Sequence, residues 1–533
     1  MTPRSDGRPV TNRSGIELER VYSPAHGDGR DLPDPGVPPF TRGIYPGMYR
    51  DRTWTKRQLV GTDSPESFNR RQRSVIDNGG TAVSLVICNS TYRGLDVDDV
   101  PQELIGTCGT PINCLEDLRI AFDGLPLGEL SFGLNDPSPF TMAAMLLVIA
   151  EEQGVPWSSI HGTSNQSDCI SHYVANHMFL RLPLEGSLRV LTDHVRFVRE
   201  HVPGWNPVSV VGQHMQEGGA TPLQSVAFTL ATAIEYVQAA VDAGLDIDDV
   251  GPRITFFHDI SLSLFEEVAK LRAQRRMWAK LMKERFGAQD ERTMRFKVHT
   301  QTSGAELTRE APHNNIIRVT VQALAAVLGG TQSLHTDGFD EALATPNEDA
   351  ARLALSTQHI LEEETGIPDV VDPLGGSYYV EALTDEIEAR SWRILNDIEQ
   401  KGGMLEACRA GWIQQEIGQS AWRYQRDIEE GRRHIVGVTK HRTAEKGERS
   451  TVPIDRPDPA AVAAQIERVQ HSRTNRDGTK AEQSRDRIRD LAANPGDNAF
   501  AATVDGVRAG LTHGEIVAAM RDAFGFGRPV VSI

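Results

Sequence analysis

Histidine, amide and carboxyl side chains that follow apolar runs are the residues best placed to do chemistry in this chain. The stretch Asn206–Glu217, NPVSVVGQHMQE, starts with a β-branched run and ends in a glycine followed by Gln213, His214 and Glu217. A buried parallel strand that ends in this way presents polar groups at the C-terminal rim of an α/β barrel. Similar groups follow other apolar runs: Asn89, Asn135, Asn165, Gln166, Asp168, His258, Asp259, His299, Gln301, Gln332, His335, Asp337 and Glu341.

The types of these residues favour one chemistry over others. Amides, hydroxyls and histidines suit the holding of a reactive intermediate away from water better than hydrolysis. The sequence has no GxSxG, HExxH or GxxxxGK[ST] motif and no GxGxxG after a strand, so we expect no metal site and no dinucleotide or P-loop site. Any one of these polar residues, considered alone, is more often a helix cap or a hydrogen-bonded group in the core. Together they indicate a polar rim.

A second candidate site is basic. Pro39–Gly61 places five cationic side chains among three aromatic rings, in a chain whose net charge is −17. The segment is either a clamp in which guanidinium groups grip a phosphate, or a solvated charged face over buried aromatics. The overall acidity argues against nucleic acid or an anionic membrane as a partner. The residues are Arg42, Arg50, Arg52, Lys56 and Arg57 with Tyr45, Tyr49 and Trp54.

An alternation of strands and amphipathic helices must position these groups. Eight strand-then-helix units predict an α/β fold of the (β/α)₈ barrel type, a TIM barrel, with an N-terminal arm and a helical C-terminal extension. We expect an arm over residues 1–38, the barrel over 39–430, a linker over 431–461 and two or three helices over 462–533, packed on the barrel or on another subunit. The predicted strands are 81–88, 129–135, 158–162, 207–212, 253–258, 294–300, 331–336 and 368–373.

Composition points to a cytoplasmic protein that does not span a membrane. Hydrophobic residues make up 39% of the 533 residues, and no apolar run is long enough to cross a bilayer. The first thirty residues lack the apolar core of a signal peptide. None of the five cysteines belongs to a CxxC pair, which fits a reducing compartment.

Several ordered motifs over residues 38–440 resemble the large, substrate-binding subunits of the adenosylcobalamin-dependent acyl-CoA mutases, the family that includes methylmalonyl-CoA mutase. The similarity is greatest to the large subunits of 2-hydroxyisobutyryl-CoA mutases. The motifs are YPGMYRDRTWTKRQ (45–58), GQHMQEGGAT (212–221), HTQTSG (299–304), TQSLHTDGFDEA (331–342) and DPLGGSYYVEALT (372–384).

The resemblance implies a TIM barrel whose axis is threaded by the pantetheine arm of an acyl-CoA, with adenosylcobalamin on the C-terminal rim. The implied chemistry is cleavage of the cobalt–carbon bond, hydrogen abstraction, a 1,2-shift of the thioester group and hydrogen return. The lower-ligand motif DxHxxG does not occur in these residues. We therefore expect a separate small cobalamin-binding subunit, in a heterotetramer of two large and two small subunits.

The resemblance also assigns roles by position. It places His214 at the thioester carbonyl as an electrostatic catalyst, together with Gln301 and Glu341, and Glu341 would hold the adenosyl ribose. The CoA and substrate positions are Tyr45, Met48, Arg52, Thr55, Arg57, Leu59, Ser84, Val86, Gln166, Asn176, Asn206, Arg253 and Thr255. The cofactor positions are Ile87, Cys108, Ala175, Gly304, Gln332, Glu341 and Ala344.

Departures from the family bear on the substrate. Leu59 stands where methylmalonyl-CoA mutase has a tyrosine, and Asn176 where it has the arginine that grips the free carboxylate. Val86 replaces an aspartate that binds the hydroxyl group in the 2-hydroxyisobutyryl enzymes, and Cys88 replaces a common aspartate. A dicarboxylic substrate is disfavoured, because an unpaired buried carboxylate costs several kcal/mol. Branched acyl groups of the 2-hydroxyisobutyryl, isobutyryl or pivalyl type remain compatible.

Two other readings remain. The chain could be a catalytically silent scaffold paired with an active homologue, although His214, Gln301, Gln332 and Glu341 are retained. It could also be a (β/α)₈ enzyme unrelated to cobalamin, which the ordered motifs disfavour.

Overall fold

The computed structural model describes residues 11–17, 19, 32–175, 181–442 and 456–528. Asn176 therefore lies outside the described residues. The described strands are short, and each follows a turn or a helix. They are β1 (Thr55–Arg57), β2 (Ala82–Leu85), β3 (Ser131–Asn135), β4 (His161–Asn165), β5 (Trp205–Asn206), β6 (Val208–Val211), β7 (Ile254–Ile260), β8 (Val298–Thr302) and β9 (Ser333–His335).

All strand pairs in the two sheets are parallel. One sheet has the order β1-β9-β8-β7-β6, and the other has the order β2-β3-β4-β5. Helices pack outside the strands, as the parallel connections require. The α/β class predicted from the sequence is confirmed.

The two sheets meet at two places. Val60, just beyond β1, forms a parallel bridge with Leu85 at the end of β2, and the Val60 N–H donates to the Ser84 carbonyl at 3.0 Å. On the other side, only Pro207 separates β5 from β6. Proline has no N–H to donate, so it interrupts a ladder without turning the chain away.

Seven of the eight predicted strands overlap a described strand, and the eighth is wrong. Residues 368–373 continue a 3₁₀ turn, Ile367–Asp369, into bends, and Asp372 has a φ of 51°, which no strand residue adopts. Two described strands were not predicted: β1, whose three polar residues carry no apolar signal, and β5, which has only two residues. The prediction 158–162 is shifted, since Trp157–Ser159 is a 3₁₀ turn before β4.

Nineteen α-helices occur in the described part of the chain. A π-helical turn, Leu281–Arg285, extends α10. The helices are α1 (Pro65–Asp77), α2 (Asn89–Tyr92), α3 (Leu115–Ala121), α4 (Thr141–Glu152), α5 (Cys169–Val174), α6 (Leu184–His201), α7 (Gln213–Glu217), α8 (Pro222–Asp242), α9 (Ile247–Val250), α10 (Leu264–Lys280), α11 (Asn314–Leu328), α12 (Glu348–Glu363), α13 (Tyr378–Gln400), α14 (Met404–Arg409), α15 (Trp412–Glu429), α16 (Pro459–Asn475), α17 (Gly478–Ala493), α18 (Ala499–Arg508) and α19 (His513–Phe524).

Local sequence explains where the central helices begin. Helix α8 starts with a capping box, in which the Thr221 side chain accepts from the Gln224 N–H and the Gln224 side chain accepts from the Thr221 N–H. Pro222 occupies the first helical turn, where its missing N–H costs nothing. Burial of its apolar side chains against the strands then stabilises α8 more than intrinsic propensity does.

The C-terminal extension contains four helices rather than the expected two or three. Separate capping residues, Asp458, Asp477, Asn498 and Thr512, divide an alanine-rich, charged stretch into short segments. Phe500 of α18 is fully buried between the α4 and α6 regions, with its ring 5.1 Å from that of Phe197. These helices therefore pack on the body of the same chain.

A small part of the N-terminal arm also packs on the body. Ile16 is buried, and the Ser14 N–H donates to the Glu266 carboxylate at the start of α10. Of the predicted linker, residues 443–455 lie outside the described part of the chain. No helix in the described ranges is long and apolar enough to cross a membrane.

Candidate active site

The strands carry a row of polar, half-buried side chains on one face, termed the channel. In β8 the side chains of His299 and Gln301 are half-buried, while their neighbours Val298, Thr300 and Thr302 are buried. Strand interiors covered on both faces have no such alternation. Half-buried side chains therefore mark the face that solvent reaches: Thr55, Arg57, Leu59, Val86, Ser131, Thr163, Gln166, Asn206, Thr255, Lys297, His299, Gln301 and Ser333.

Arg57 is the central cation of this channel. It donates hydrogen bonds to the Ser333 hydroxyl at 3.0 Å, the Val83 carbonyl at 3.1 Å and the Ser131 hydroxyl at 2.7 Å, and lies 3.4 Å from the Ser84 hydroxyl. All of these acceptors are neutral. Burial lowers the pKa of Arg57 to about 10, so the group stays charged at neutral pH. An anion entering the channel would meet a cation that has no carboxylate among its described hydrogen-bond acceptors.

Two more basic groups lie at the N-terminal ends of the strands. Arg253 donates to the Pro203 carbonyl at 2.9 Å, and Lys297 donates to the Asn206 side-chain oxygen at 3.2 Å. Burial, and then the charge of Arg253, lowers the pKa of Lys297 to about 8. Sequence reasoning selected Arg253, Asn206 and Thr255 but missed Lys297. Lys297 could have been found from its position in the predicted strand, two residues before His299.

The structure supports different interpretations for different residues of the basic–aromatic segment. Arg42 is paired with Asp372 and Lys56 with Glu362, so both hold the fold together. Trp54 is buried and donates to Gln358. Arg52 is exposed, whereas Arg57 is half-buried.

Other predicted CoA positions lie outside the strands or at their starts. Tyr45 is 40% exposed with its ring 5.4 Å from the Arg295 guanidinium, and Met48 is buried. The Thr55 N–H donates to the Gln332 carbonyl at 2.9 Å. The Gln332 side chain accepts from the Val298 N–H at 2.8 Å, at the N-terminal end of β8. The structure does not bring Gln332 together with Glu341.

His214 lies at the opposite, C-terminal end, in the first turn of α7. It is buried, its Nδ1 lies 3.0 Å from the Ser171 hydroxyl, and its ring centroid lies 4.7 Å from that of His172. The Ser171 hydroxyl also lies 3.1 Å from the Asp168 carbonyl. The direction of the Ser171 hydroxyl therefore decides which nitrogen of neutral His214 carries the proton.

Gln166 lies beside these histidines. Its backbone is strained and its side chain is hydrogen-bonded. Its φ is 56°, and its side-chain oxygen accepts from the Tyr92 hydroxyl at 2.7 Å. Its carbonyl lies 3.3 Å from His172 Nε2. Strained backbone of this kind often occurs where a site must be held in one geometry. His172, Ser171 and Tyr92 are additions that sequence reasoning missed, because they follow no strand directly.

Carboxyl groups surround Gly304 at the same end. The Gly304 N–H donates to Glu217 at 3.2 Å, and a Cβ at residue 304 would lie 3.6 Å from the Glu341 Cγ and 3.9 Å from an Asp337 oxygen. Burial, followed by the neighbouring carboxylates, raises the pKa of Glu217 and of Glu341. Part of the Glu341 side chain reaches solvent, although protein atoms surround it closely. It therefore lines a recess.

The remaining predicted positions are Leu59, Val86, Ile87, Ala175, Ala344 and Cys108. The Leu59 N–H donates to His335 Nδ1 at 3.1 Å, and Val86 is half-buried beside Gly61. Ile87 is fully buried. Ala175, Ala344 and Cys108 are half-buried, at the end of α5, after Asp340 and in the loop before Thr110.

Comparison with known proteins supplies the family. The family model described as "Methylmalonyl-CoA mutase" matches residues 11–526. This chain belongs to the methylmalonyl-CoA mutase family. It is 39% identical over 515 residues to the methylmalonyl-CoA mutase of Rhizobium meliloti (strain 1021), covering 96% of this chain and 72% of that protein.

Two further relatives differ in how much of their length is matched. The 2-hydroxyisobutanoyl-CoA mutase large subunit of Aquincola tertiaricarbonis is 38% identical over 513 residues, which cover 95% of this chain and 91% of that protein. The mitochondrial methylmalonyl-CoA mutase of Homo sapiens is 38% identical over 516 residues, covering 96% and 68%. The relatives are named mutases, so the predicted enzyme class, an isomerase that transfers a group within one molecule, is confirmed.

Proposed function

We propose that this chain is the large subunit of a two-subunit, coenzyme B12-dependent acyl-CoA mutase that rearranges a branched acyl group without a second carboxylate. The observation that supports this proposal is that the two ends of the channel carry different polar groups. Its N-terminal end is lined by the cations Arg57, Arg253 and Lys297, and its C-terminal end by His214, amides and protonatable carboxyls.

The channel belongs to a closed (β/α)₈ barrel in this proposal. The bridge between Val60 and Leu85 would join the two sheets on one side, and Pro207 would divide one strand into β5 and β6 on the other. The barrel domain would span residues 39–430, after an arm (1–38) and before a linker (431–461) and a helical extension (462–533). Small side chains such as Ser84, Ser131 and Gly133 would leave the axis open, where most barrels are filled.

The cationic end fits the phosphate-bearing part of an acyl-CoA. Arg57 offers guanidinium donors to an anionic or strongly polar group without competition from a carboxylate. Thr55, Asn206 and Thr255 provide neutral hydrogen-bonding groups beside it, and Tyr45, Met48 and Arg52 precede the channel mouth. Charge-assisted bonds of this type are about twice as strong as neutral ones.

The C-terminal end fits the adenosyl part of adenosylcobalamin. Gly304 has no side chain to obstruct a ribose, and Glu217 and Glu341 could each donate or accept hydrogen bonds because their pKa values are raised. When bound, the cofactor supplies radical chemistry through cleavage of its cobalt–carbon bond. Gln301, Ala175, Ala344, Ile87 and Cys108 would border that face.

His214 orients and polarises the thioester in this scheme. A proton on Nε2 would hydrogen-bond the carbonyl oxygen when the Ser171 hydroxyl turns from the Asp168 carbonyl, to which it donates in this structure, and donates to Nδ1 instead. The buried position of His214 and the tilted packing of its ring against His172 exclude water from the migrating group.

The substrate class follows from what the chain offers beside His214. Leu59 and Val86 present hydrocarbon and offer no cation to a second carboxylate on the acyl group, which would be left buried and unpaired. 2-Hydroxyisobutyryl-, isobutyryl- and pivalyl-type groups carry no such charge. The small cobalamin-binding partner is supported by similarity over 91% of a chain named as a large subunit.

The test is to mix the purified chain with a small cobalamin-binding subunit, adenosylcobalamin and a panel of acyl-CoAs. We expect isomerised product from a branched monocarboxylic acyl-CoA, at a rate at least about 100-fold above that with methylmalonyl-CoA, the discrimination that an unpaired buried carboxylate gives. Preferred turnover of methylmalonyl-CoA would overturn the substrate class. CoA binding without turnover of any thioester would favour a silent scaffold.

A further inference from the structure

The loop 104–109 encloses the thiol of Cys88 at the end of β2. The Gly106 N–H donates to the Cys88 sulfur at 3.3 Å, and that sulfur lies 3.8 Å from the Leu104 carbonyl. The Cys108 side chain lies close enough to interact with the same sulfur. The fold thus places two cysteines that are distant in sequence side by side.

Gly109 makes this approach possible. A Cβ at residue 109 would lie 2.2 Å from the Ile87 carbonyl oxygen and 2.9 Å from the Cys88 nitrogen, which no side chain tolerates. The bridge between Ile87 and Thr110 continues the contact on the other side. The backbone on both sides of Cys108 is therefore pinned against the residues next to Cys88.

The two thiols differ in access and in ionisation. Cys88 is fully buried, whereas Cys108 is half-buried and can be reached from outside. The hydrogen bond from Cys108, with others from Ser90 and Gly106, lowers the pKa of Cys88, and the same thiol–thiol bond together with burial raises the pKa of Cys108. The pair therefore combines an accessible thiol that keeps its proton, Cys108, with a buried thiol that ionises readily, Cys88.

The other three cysteines lack these properties. Cys114, Cys169 and Cys408 are buried, and burial raises the pKa of each thiol. Buried thiols of this kind are usually inert packing groups.

We propose that Cys88 and Cys108 form a reversible intramolecular disulfide when the chain meets a small disulfide such as oxidised glutathione. Cys108 attacks a sulfur of glutathione disulfide as its proton passes to Cys88, and one glutathione leaves. Cys88 then attacks the Cys108 sulfur, its proton goes to water or to the leaving thiolate, and the second glutathione leaves. Two protein thiols and one disulfide become one protein disulfide and two glutathione molecules.

The disulfide would tie the end of β2 to the loop 104–109. Ile87 and Cys108 are both assigned to the cofactor face, so oxidation would alter that face; this consequence rests on the proposed function. The thiol chemistry itself does not, and it can be measured without cofactor, substrate or partner.

The experiment uses the full-length chain, which has five free cysteines. The folded protein is incubated with oxidised glutathione, quenched in acid, denatured, alkylated and weighed intact, and then digested without reduction to map linked peptides. We expect two of the five thiols to be lost, a Cys88–Cys108 linked peptide, no retained glutathione, and full recovery after a thiol reductant.

Variants separate the pair from the other cysteines. Cys408→Ala removes one buried thiol and should still lose two on oxidation. Cys88→Ala should instead retain one glutathione on Cys108, and Cys108→Ala should lose no thiols. Five alkylated thiols after oxidation of the wild-type chain, a stable glutathione adduct on it, or a linked peptide joining a different pair would each overturn the proposal.

Discussion

Replacement of Arg57 by methionine should weaken CoA binding strongly while changing stability little. Burial lowers the pKa of Arg57 to about 10, which corresponds to a cost of about 3 kcal/mol for holding the charged group in the fold. Against this, the guanidinium makes three short hydrogen bonds, to Ser131, Ser333 and Val83, each contributing about 1.5 kcal/mol, the lower end of the range for a charged donor. The two contributions largely offset each other, so Arg57→Met should be within about 2 kcal/mol of wild type in stability.

The loss of CoA binding in Arg57→Met is not offset in this way. A hydrogen bond to a charged donor contributes about 1.5–3 kcal/mol, so the Kd for CoA should rise about 10- to 100-fold. Titration calorimetry with CoA and the chain alone measures this without cofactor or partner. Thermal or urea denaturation of the same samples measures stability.

Lys56→Met is the matched control, because Lys56 is the neighbouring cation in the same strand but faces away from the channel. Lys56 is buried and paired with Glu362, so its loss should cost about 3 kcal/mol of stability and leave the Kd for CoA unchanged. Wild-type CoA affinity in Arg57→Met, or weakened affinity in Lys56→Met, would refute the assignment of Arg57 to the ligand channel.

Four further substitutions test other parts of the molecule. His214→Ala should slow turnover by a factor on the order of 10²–10³ with CoA affinity intact in calorimetry; wild-type turnover would remove its role. Because the folded-state pKa of Glu341 is raised, stability should fall as pH rises from the ordinary carboxyl range through that raised value; Glu341→Gln should flatten this fall in melting temperature, and an unchanged profile would contradict it. Arg473→Met leaves buried Asp96 without its cation and should cost about 3 kcal/mol in urea denaturation, whereas Arg489→Ala, in an exposed pair, should leave stability nearly unchanged.

Most of the strands and helices could be predicted because their sequences carry a repeating local signal. Apolar runs such as 81–88 and 207–212 contain the cores of β2 and β6, and the polar residues that follow them lie at one end of the sheets. The order of motifs along the chain was enough to indicate the family. These features depend on local pattern and composition, which a linear sequence displays directly.

Short or polar elements could not be predicted in this way. Strand β1 has only three polar residues and exists because its neighbours supply hydrogen-bonding partners, whereas 368–373 has apolar residues but bends at Asp372. Tertiary context overrides local propensity in both cases.

The chemistry of individual side chains was decided by the tertiary structure. The sequence shows Arg42, Lys56 and Arg57 as equivalent cations, but carboxylates from distant helices or loops neutralise the first two and leave only Arg57 facing the channel. It also shows Cys88 and Cys108 as unrelated residues until a loop closes around one of them. Type and spacing are written along the chain, whereas burial and charge partners depend on residues that folding brings from far away.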